Sequence, residues 1–344
     1  MENATIKDIA REAGFSVATV SRVINGNYPV STETRQRVLQ AIEDLHYTPN
    51  AIARSLRKNR TDLVALIVED ISSVFLLDIA KGLEEELEKD GMNLILASSD
   101  GSPEKERRLI DLLMKRRCDG LVIATTDHDP SRIKSCMDRK MPVVLVDRTF
   151  QELRTNQIGW NNLDASVQLT QYLIDRGHQK IGMMNCSTTS INGSKRLEGF
   201  SKAMDTAHLD TFAPWVSPSL GSTDNAYHWV KALLTQPERP TALFCGNYRM
   251  LEGVLMAMED LGLKLGEDLS VVSFGRKERS LYRTLPVTYM KQPSQEMGRE
   301  AGRLLKRLIQ FPEERITSHI ILETELVEAG SVKDLRTSPA PGKE

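Results

Sequence analysis

The sequence predicts a small all-α head followed by an α/β core of two lobes, each built on a doubly wound parallel sheet. Three short runs with helical apolar spacing fill residues 1–48. From residue 61 onward, β-rich apolar runs alternate with amphipathic helical runs, and the alternation restarts near residue 164. The alternation predicts parallel sheets covered on both faces, and the restart predicts two lobes.

The head begins with two short helices joined by a tight turn. Thr5 followed by Asp8 has the form of a capping box, and Gly14 suits the turn after the first helix. Ser16 can cap a second helix. The apolar residues of that helix recur at Val17, Val20 and Ile24. Two such helices form a helix-turn-helix, although the spacing alone also allows two amphipathic helices packed in a core.

The second helix of a helix-turn-helix lies in the DNA major groove. Val17 and Ala18 would then contact thymine methyl groups, and Arg22 can pair with guanine O6 and N7. Suitable phosphate donors are Ser16, Thr19 and Asn25. If the two helices only formed a core, Arg22 would be a solvated charge.

A third helix and the segment after it complete a specific pattern. Ser31 can cap a helix with the apolar residues Val38, Leu39, Ile42 and Leu45. The segments T-I-K-D-I-A, S-V-A-T-V-S-R-V-I-N-G, V-S-x-x-T-R-x-R-V and Y-x-P-N-x-x-A-R-S-L then occur in order between Thr5 and Leu56. In these motifs the chain resembles the lactose-repressor (LacI/GalR) family of bacterial transcription regulators.

The resemblance implies a DNA-binding domain at 1–48, a hinge helix and linker at 49–60, and an effector-binding and dimerisation core at 61–330. Asn50 can cap the hinge helix, but about eight residues are too few for a stable isolated helix in water. By resemblance, Leu56 from each subunit enters the central base step of the operator, and Ala53 lets two hinge helices approach. A plain linker is the alternative. The residues assigned to DNA are Thr5, Ser16, Val17, Ala18, Thr19, Arg22, Asn25, Ser31, Tyr47, Asn50, Ala53 and Leu56.

Charge is unevenly distributed along the chain. Residues 1–60 carry nine Lys and Arg against six Asp and Glu, although the whole chain has a net charge of −2. A basic head on an acidic body fits a DNA-binding module joined to a part that does not bind DNA.

No apolar run approaches the roughly 18 residues of a membrane span, and charged residues interrupt the N-terminal segment where a signal peptide needs an apolar core. We therefore expect a cytoplasmic protein with no membrane partner.

The sequence has no motif of a metal site or an enzyme. The cysteines, Cys118, Cys136, Cys186 and Cys245, are far apart, so we expect reduced packing residues, and the histidines are scattered. No GxSxG, P-loop, GxGxxG or HExxH motif occurs. We expect no catalytic residues, no metal and no cofactor.

The resemblance implies a periplasmic-binding-protein-like core, whose chain crosses between the lobes near residues 158–162, 290 and 320. We expect the last strand over 316–326. Open α/β lobes place ligands at the carboxyl ends of their strands, so the cleft between the lobes is the expected effector site. The composition of residues 331–344 predicts a disordered tail. The tail lacks leucine heptads, so we expect a homodimer rather than a tetramer.

Several cleft positions match positions that often contact the effector in this family. They are Asp147, Trp160, Arg196 and Gln292. Ser73 and Phe75 are plausible pocket walls, although the chain has D-I-S-S-V-F-L where members commonly have D-I-S-N-P-F-F. Trp160 can stack on a sugar face, and Arg196 offers donors to hydroxyls or a carboxylate. Core packing is the alternative for Trp160 and Phe75, and a structural salt bridge is the alternative for Arg196.

Two acids that are usual in the family are missing. The motif that normally ends in Asn-Asp appears as C-G-N-Y at 245–248, and the usual G-F/Y-D-D appears as S-F-G-R at 273–276. We assign Asn247, Tyr248 and Arg276 to the effector site. Because glycine replaces an aspartate that accepts hydrogen bonds from sugar hydroxyls, we hypothesise an anionic effector, a sugar acid or sugar phosphate, with Arg276 and Arg196 as counter-charges.

The resemblance as a whole implies a sequence-specific transcription repressor, active in carbohydrate metabolism. Its partners would be a pseudo-palindromic operator in double-stranded DNA, a small-molecule effector and a second copy of the chain. The alternative is a small-molecule binding module that responds to a protein partner.

Overall fold

The computed structural model describes residues 4–25, 29–47, 60–150, 152–185, 190–217, 222–276, 282, 284–314 and 317–336. The chain divides into two units, Met1–Asp62 and Leu63–Glu344. Each unit has its own apolar core.

The described residues of the first unit form three helices: α1 (Ile6–Ala13), α2 (Val17–Asn25) and α3 (Thr32–Asp44). Thr5 starts α1 through the expected capping box, because its hydroxyl and its backbone N–H donate to the Asp8 carboxylate at 2.6 and 3.0 Å. Gly14 ends α1 with φ 73°, a left-handed conformation that a residue without a Cβ adopts without steric cost. The predicted helix-turn-helix is confirmed.

The three helices bury a common apolar face. Its members are Ile9, Ala10, Ala13, Val20, Val23, Val38 and Ala41. The prediction that Leu39 belongs to this face is wrong, because its exposed fraction is 51%. Successive helical residues are rotated by about 100°, so the residue next to buried Val38 points away from the core.

Among its described residues the second unit has two six-stranded sheets, one in each lobe. The first sheet has the order β11-β5-β4-β3-β1-β2 and comprises β1 (Leu63–Val68), β2 (Asn93–Ser98), β3 (Gly120–Ile123), β4 (Val143–Val146), β5 (Asn156–Trp160) and β11 (His319–Leu322). The second sheet has the order β12-β10-β9-β8-β6-β7 and comprises β6 (Ile181–Met184), β7 (Val216–Ser217), β8 (Ala242–Cys245), β9 (Ser270–Phe274), β10 (Thr288–Lys291) and β12 (Glu325–Val327). All pairs are parallel except β10 with β12.

Helices cover both faces of each sheet. The first lobe has α4 (Val74–Glu88), α5 (Pro103–Lys115), α6 (Ser131–Asp138) and α11 (Ser294–Gln310). The second lobe has α7 (Asn162–Ile174), α8 (Ile191–Thr206), α9 (Thr223–Leu234) and α10 (Tyr248–Asp260). Side chains alternate between the faces of a strand, so Leu66 joins the core under α4 and α11 while Ile67 joins the core under α5 and α6. The predicted pair of doubly wound lobes is confirmed.

The chain crosses between the lobes after β5, after β10 and between β11 and β12. These are the crossings that the family resemblance implied. The prediction of one strand over 316–326 is wrong, because two short strands occupy this segment and join different sheets. Glu323 and Thr324 between them carry the third crossing, so a single strand cannot continue through this point.

Residues 331–336, which the composition assigned to the tail, bind the second lobe. The buried Ser331 hydroxyl donates to the Val271 carbonyl at 2.6 Å and accepts from the Thr288 N–H at 2.8 Å. The prediction of disorder from composition is therefore wrong for residues 331–336. Residues 337–344 and residues 48–59, which include all of the predicted hinge except residue 60, lie outside the described residues.

Three of the four cysteines are buried and free: Cys118, Cys136 and Cys245. Burial raises the pKa of each of these thiols, which keeps them protonated. Cys186 lies outside the described residues. In the part of the chain that the structure describes, no helix has the length and apolar character needed to cross a membrane.

Candidate functional site: the head helices and the cleft between the lobes

The predicted base-contacting residues lie on the exposed side of α2. Val17 is 42% exposed although it is apolar, and Ala18 and Arg22 are exposed as well. Val20 and Val23 of the same helix are buried in the core of the head. The helix therefore has one face for packing and another on which the proposed readers lie.

Two of the residues assigned to DNA, Ser16 and Ser31, are also helix caps. The Ser16 hydroxyl accepts from the Thr19 N–H at 3.1 Å, and the Ser31 hydroxyl accepts from the Thr34 N–H at 3.2 Å. These bonds satisfy N–H groups that have no partner inside the helix. Tyr47 is half-buried against the core of the head. The Asn25 side chain and the residues Asn50, Ala53 and Leu56 lie outside the described part of the structure.

A cavity of about 540 Å³ lies between the lobes of the second unit, with walls from both sheets. Its volume is that of a pocket for a small molecule. The wall includes residues one or two positions beyond the ends of β1, β4 and β8, so the cavity lies at the carboxyl ends of parallel strands. Seven of the nine residues that the sequence assigned to the effector line it: Ser73, Phe75, Asp147, Arg196, Asn247, Tyr248 and Gln292.

Arg196 projects from α8 and is only 6% exposed. Its Nε donates to Asn162 Oδ1 at 2.8 Å, and its Nη1 donates to the Gly246 carbonyl at 2.7 Å. The guanidinium carbon lies 4.1 Å from the centre of the Phe274 ring. Arg196 forms no salt bridge with a described residue, so the alternative of a structural ion pair does not account for it.

A chain of polar side chains crosses the cleft from Asp147 to Arg196. Asp147 of the first lobe accepts from Asn192 Nδ2 at 2.9 Å. The Asn192 amide oxygen accepts from Asn162 Nδ2 at 3.1 Å, and Asn162 in turn accepts from Arg196. This chain connects an acceptor in one lobe with a donor in the other, and both ends line the cavity.

Asp147 has two unusual properties. Its backbone φ is 66°, a left-handed conformation that non-glycine residues seldom adopt. Desolvation raises the pKa of its carboxyl group, while Arg148, Arg196 and the hydrogen bond from Asn192 oppose the shift. Strained backbone and a shifted pKa occur together at many binding sites.

Sequence reasoning missed several charged residues of the cavity wall. They are Glu69, Asp70, Asp100, Arg148 and Arg249. Arg148 donates to Glu69 at 2.6 Å and to the Thr125 carbonyl at 3.1 Å. Glu69, Asp70 and Arg148 each follow the end of a parallel strand, and this position was a signal that could have identified them.

Trp160 and Arg276 are not among the residues that line the cavity. Trp160 is 4% exposed in the core of the first lobe, where its ring centre lies 4.9 Å from that of Phe75. The Arg276 guanidinium lies 6.0 Å from the centre of the Tyr289 ring. The predicted pair of counter-charges is therefore reduced to Arg196, while Arg148 and Arg249 are additional cations of the wall.

No group of three or more His, Cys, Asp and Glu side chains that could hold a metal ion occurs among the described residues.

Two family models match the chain. The model described as "Bacterial regulatory proteins, lacI family" matches residues 5–50. The model described as "Periplasmic binding proteins and sugar binding domain of LacI family" matches residues 61–327. The chain therefore belongs to the LacI family of bacterial regulatory proteins.

Individual relatives agree with this assignment. The chain is 33% identical over 335 residues to the HTH-type transcriptional repressor PurR of Haemophilus influenzae (strain PittEE), covering 96% of this chain and 99% of that protein. The lac repressor dimer bound to operator and the anti-inducer ONPF has a TM-score of 0.85 at 24% identity, covering 96% of this chain and 100% of that one. The complex of the transcriptional regulator CelR with cellobiose has a TM-score of 0.70 at 28% identity, covering 95% and 99%. The chain is a DNA-binding transcription repressor with a ligand-binding domain, and not an enzyme.

Proposed function

We propose that this chain is a cytoplasmic homodimeric repressor whose affinity for a pseudo-palindromic operator is controlled by a small polar molecule bound between its lobes. The observation that carries the proposal is the cavity in which Asp147 and Arg196 face the ligand space from opposite lobes. A molecule that donates to one and accepts from the other would be sensitive to the separation of the lobes.

The DNA-binding part comprises residues 1–48, with Val17, Ala18 and Arg22 as the residues that contact bases. Their exposure on α2 supports this assignment. Phosphate contacts come from Ser16, Thr19 and Asn25, and Thr5, Ser31 and Tyr47 complete the set of DNA-contacting residues in this part. Residues 49–60 form the hinge, in which Asn50 caps a short helix while Ala53 and Leu56 meet the partner helix and the minor groove.

Effector binding rotates one lobe of the core at 61–330 against the other. The short hinge helices are marginally stable, so a small change in their spacing is enough to support or separate them. The operator affinity then changes by the coupling free energy between the two sites, which is about 1–3 kcal/mol in typical allosteric proteins.

The effector is a sugar acid or sugar phosphate. Arg196 supports an anionic group because it is a buried cation that forms no salt bridge with a described residue. The aromatic side chain of Phe75 and the amides of Asn192, Asn247 and Gln292 suit a sugar ring with hydroxyl groups. CelR, whose structure was solved with cellobiose, is a relative that binds a sugar.

The test is selection of binding sites from random DNA by the full-length chain, followed by titration of the selected site. We expect an enriched palindrome, binding that weakens steeply with salt, and a change of operator affinity with gluconate or glucose 6-phosphate but not with glucose. Failure to enrich any sequence would contradict the proposal. A response to glucose alone would contradict only the assignment of an anionic effector.

A further inference from the structure

Carboxylates in the cavity wall pair with cations in two different ways. Glu69 pairs with Arg148 within the first lobe, and Asp100 likewise pairs with Lys105. Asp70, two residues beyond β1, pairs instead with Arg249 in the first turn of α10 in the second lobe. Among the ion pairs whose two members are both described, this is the one that joins the lobes. The Asp70–Arg249 pair therefore depends on the separation of the lobes.

Asp70 can release Arg249 without losing all its hydrogen bonds. Its Oδ1 accepts from the Ser72 N–H at 2.8 Å, and its Oδ2 accepts from the Ser72 hydroxyl at 2.8 Å. Both donors belong to the loop that carries Asp70, so they stay with it when the lobes move. The Asp70 side chain is also 33% exposed, so water can replace the lost cation.

Arg249 differs from the other two arginines of the wall. Arg196 is held by two acceptors of its own lobe, and Arg148 is held by two acceptors of the first lobe. Arg249 is 30% exposed, and its Nη2 donates to Asp70 and to the Ser72 hydroxyl at 3.2 Å, both in the opposite lobe. Its Nε donates to the hydroxyl of the neighbouring Tyr248 at 3.4 Å, so one weaker acceptor is in its own lobe. Although burial opposes its charge, the bond to Asp70 holds the pKa of Arg249 above its ordinary value. Arg249 is thus a permanent cation with a replaceable counter-ion.

We infer that Arg249 is a second residue, beside Arg196, that selects an effector with an anionic group, and that this group replaces Asp70 as the acceptor of the Arg249 guanidinium. The inference rests on the proposed function and adds a residue that recognises the anionic group and the regulatory step. A carboxylate or phosphate fits the planar fork of a guanidinium through two parallel hydrogen bonds. The exchange converts a bond between the lobes into a bond between one lobe and the ligand, so the ligand removes a contact that holds the cleft closed.

The experiment is calorimetric titration of the full-length chain with inorganic phosphate at constant ionic strength, repeated with gluconate, glucose 6-phosphate and glucose. Asp70→Asn removes the competing carboxylate and is expected to bind phosphate about fivefold more tightly than the wild type. Arg249→Gln is expected to bind phosphate about tenfold more weakly, and Arg249→Lys should retain part of the affinity. The matched control is Asp260→Asn, which removes a carboxylate that pairs with Lys231 at 2.8 Å outside the cavity.

The proposal is overturned if Asp70→Asn binds phosphate no more tightly than the wild type and Asp260→Asn, or if Arg249→Gln retains wild-type affinity. If Arg249→Gln does not fold, the Asp70→Asn and Arg249→Lys variants decide the question. The arms with gluconate and glucose 6-phosphate distinguish a carboxylate from a phosphate as the preferred group.

Operator binding by the same proteins separates the two proposals. If ligand changes the operator affinity of the wild type and of Arg249→Gln equally, the role of Arg249 is contradicted and the proposed function is not. If the wild type binds no operator at all, the proposed function itself is contradicted.

Discussion

The head and the cleft position their functional side chains in different ways. In the head, the hydroxyls of Ser16 and Ser31 are held by backbone groups three residues along the chain. In the cleft, Asp147 is held by Asn192, 45 residues away, and Asp70 by Arg249, 179 residues away. The caps that set the ends of the head helices are therefore local, whereas the ligand site exists only when two separately built lobes are brought together. Substitutions should accordingly affect DNA affinity alone in the head, but ligand response and stability together in the cleft.

The largest effect is expected for Arg196→Met in the cleft. The substitution leaves Asn162 Oδ1 and the Gly246 carbonyl without their donor, so the free energy of unfolding should fall by about 1–3 kcal/mol, and the ligand response of operator binding should be lost. Urea denaturation and operator titration measure the two effects. Arg196→Lys is the control, since it keeps the charge and should recover part of the response. If Arg196→Met has the wild-type free energy of unfolding and the wild-type ligand response of operator binding, the assignment of Arg196 to the ligand site is contradicted.

The matching substitution in the head is Arg22→Ala. Operator affinity should fall by roughly 1–3 kcal/mol and base preference should relax at one position, because one side chain no longer contacts a base edge. Ligand binding should not change, which is the outcome that separates head from cleft. Arg35→Ala removes the same charge from an exposed position on α3 and should leave base preference unaltered. An unchanged operator profile for Arg22→Ala would show that α2 is not the recognition helix.

A smaller effect is expected for Gly275→Asp, which restores an acid that is usual in the family. Gly275 has a φ of 78°, and a Cβ there would lie 2.8 Å from Gln292 Oε1, so the substitution should lower the free energy of unfolding by about 1–2 kcal/mol. The added carboxylate near Gln292 should also weaken binding of gluconate relative to glucose. Gly275→Ala carries the same backbone strain without the charge. Equal loss of gluconate binding in both variants would indicate a steric effect and contradict the charge argument.

The smallest effect is expected for Ser16→Ala, which removes the cap of α2. The loss of one cap should cost about 1 kcal/mol in operator affinity, because the N-terminal turn of α2 is less often formed and one phosphate donor is absent. Ser102→Ala removes the equivalent cap of α5 in the core, where Ser102 accepts from the Lys105 N–H at 3.2 Å. It should lower the stability of the core and leave operator affinity unchanged. Equal effects of the two variants on operator affinity would contradict the separation of head and cleft.

The same contrast explains what the sequence could predict. Caps and turns depend on neighbours within a few residues, so Thr5, Gly14, Ser16 and Ser31 were correctly assigned from their spacing. Leu39 was not, because an apolar residue beside a buried one still points to the other side of a helix. The two lobes followed from the alternation of strands and helices, which is also a local property.

The ligand site was predicted less completely, because its geometry depends on contacts between distant segments. The resemblance to the family assigned Arg196 and Asp147 to the cleft, and both side chains line the cavity. It could not indicate that Asp70 and Arg249 meet across the cleft, nor that Trp160 packs in the core beside Phe75. Arg276 lies two residues beyond Phe274, which lines the cavity, but the Arg276 guanidinium is not part of the wall.

The central claim is that the cleft and the operator share one free energy of coupling, and the most direct measurement is a complete binding cycle. Operator affinity is measured with and without saturating ligand, and ligand affinity is measured with and without saturating operator, on the same full-length protein at one salt concentration. The account predicts that both ratios are equal and differ from one by about 5- to 150-fold, since coupling between binding sites is reciprocal. A ligand that fills the cleft with the same affinity on and off the operator would contradict it.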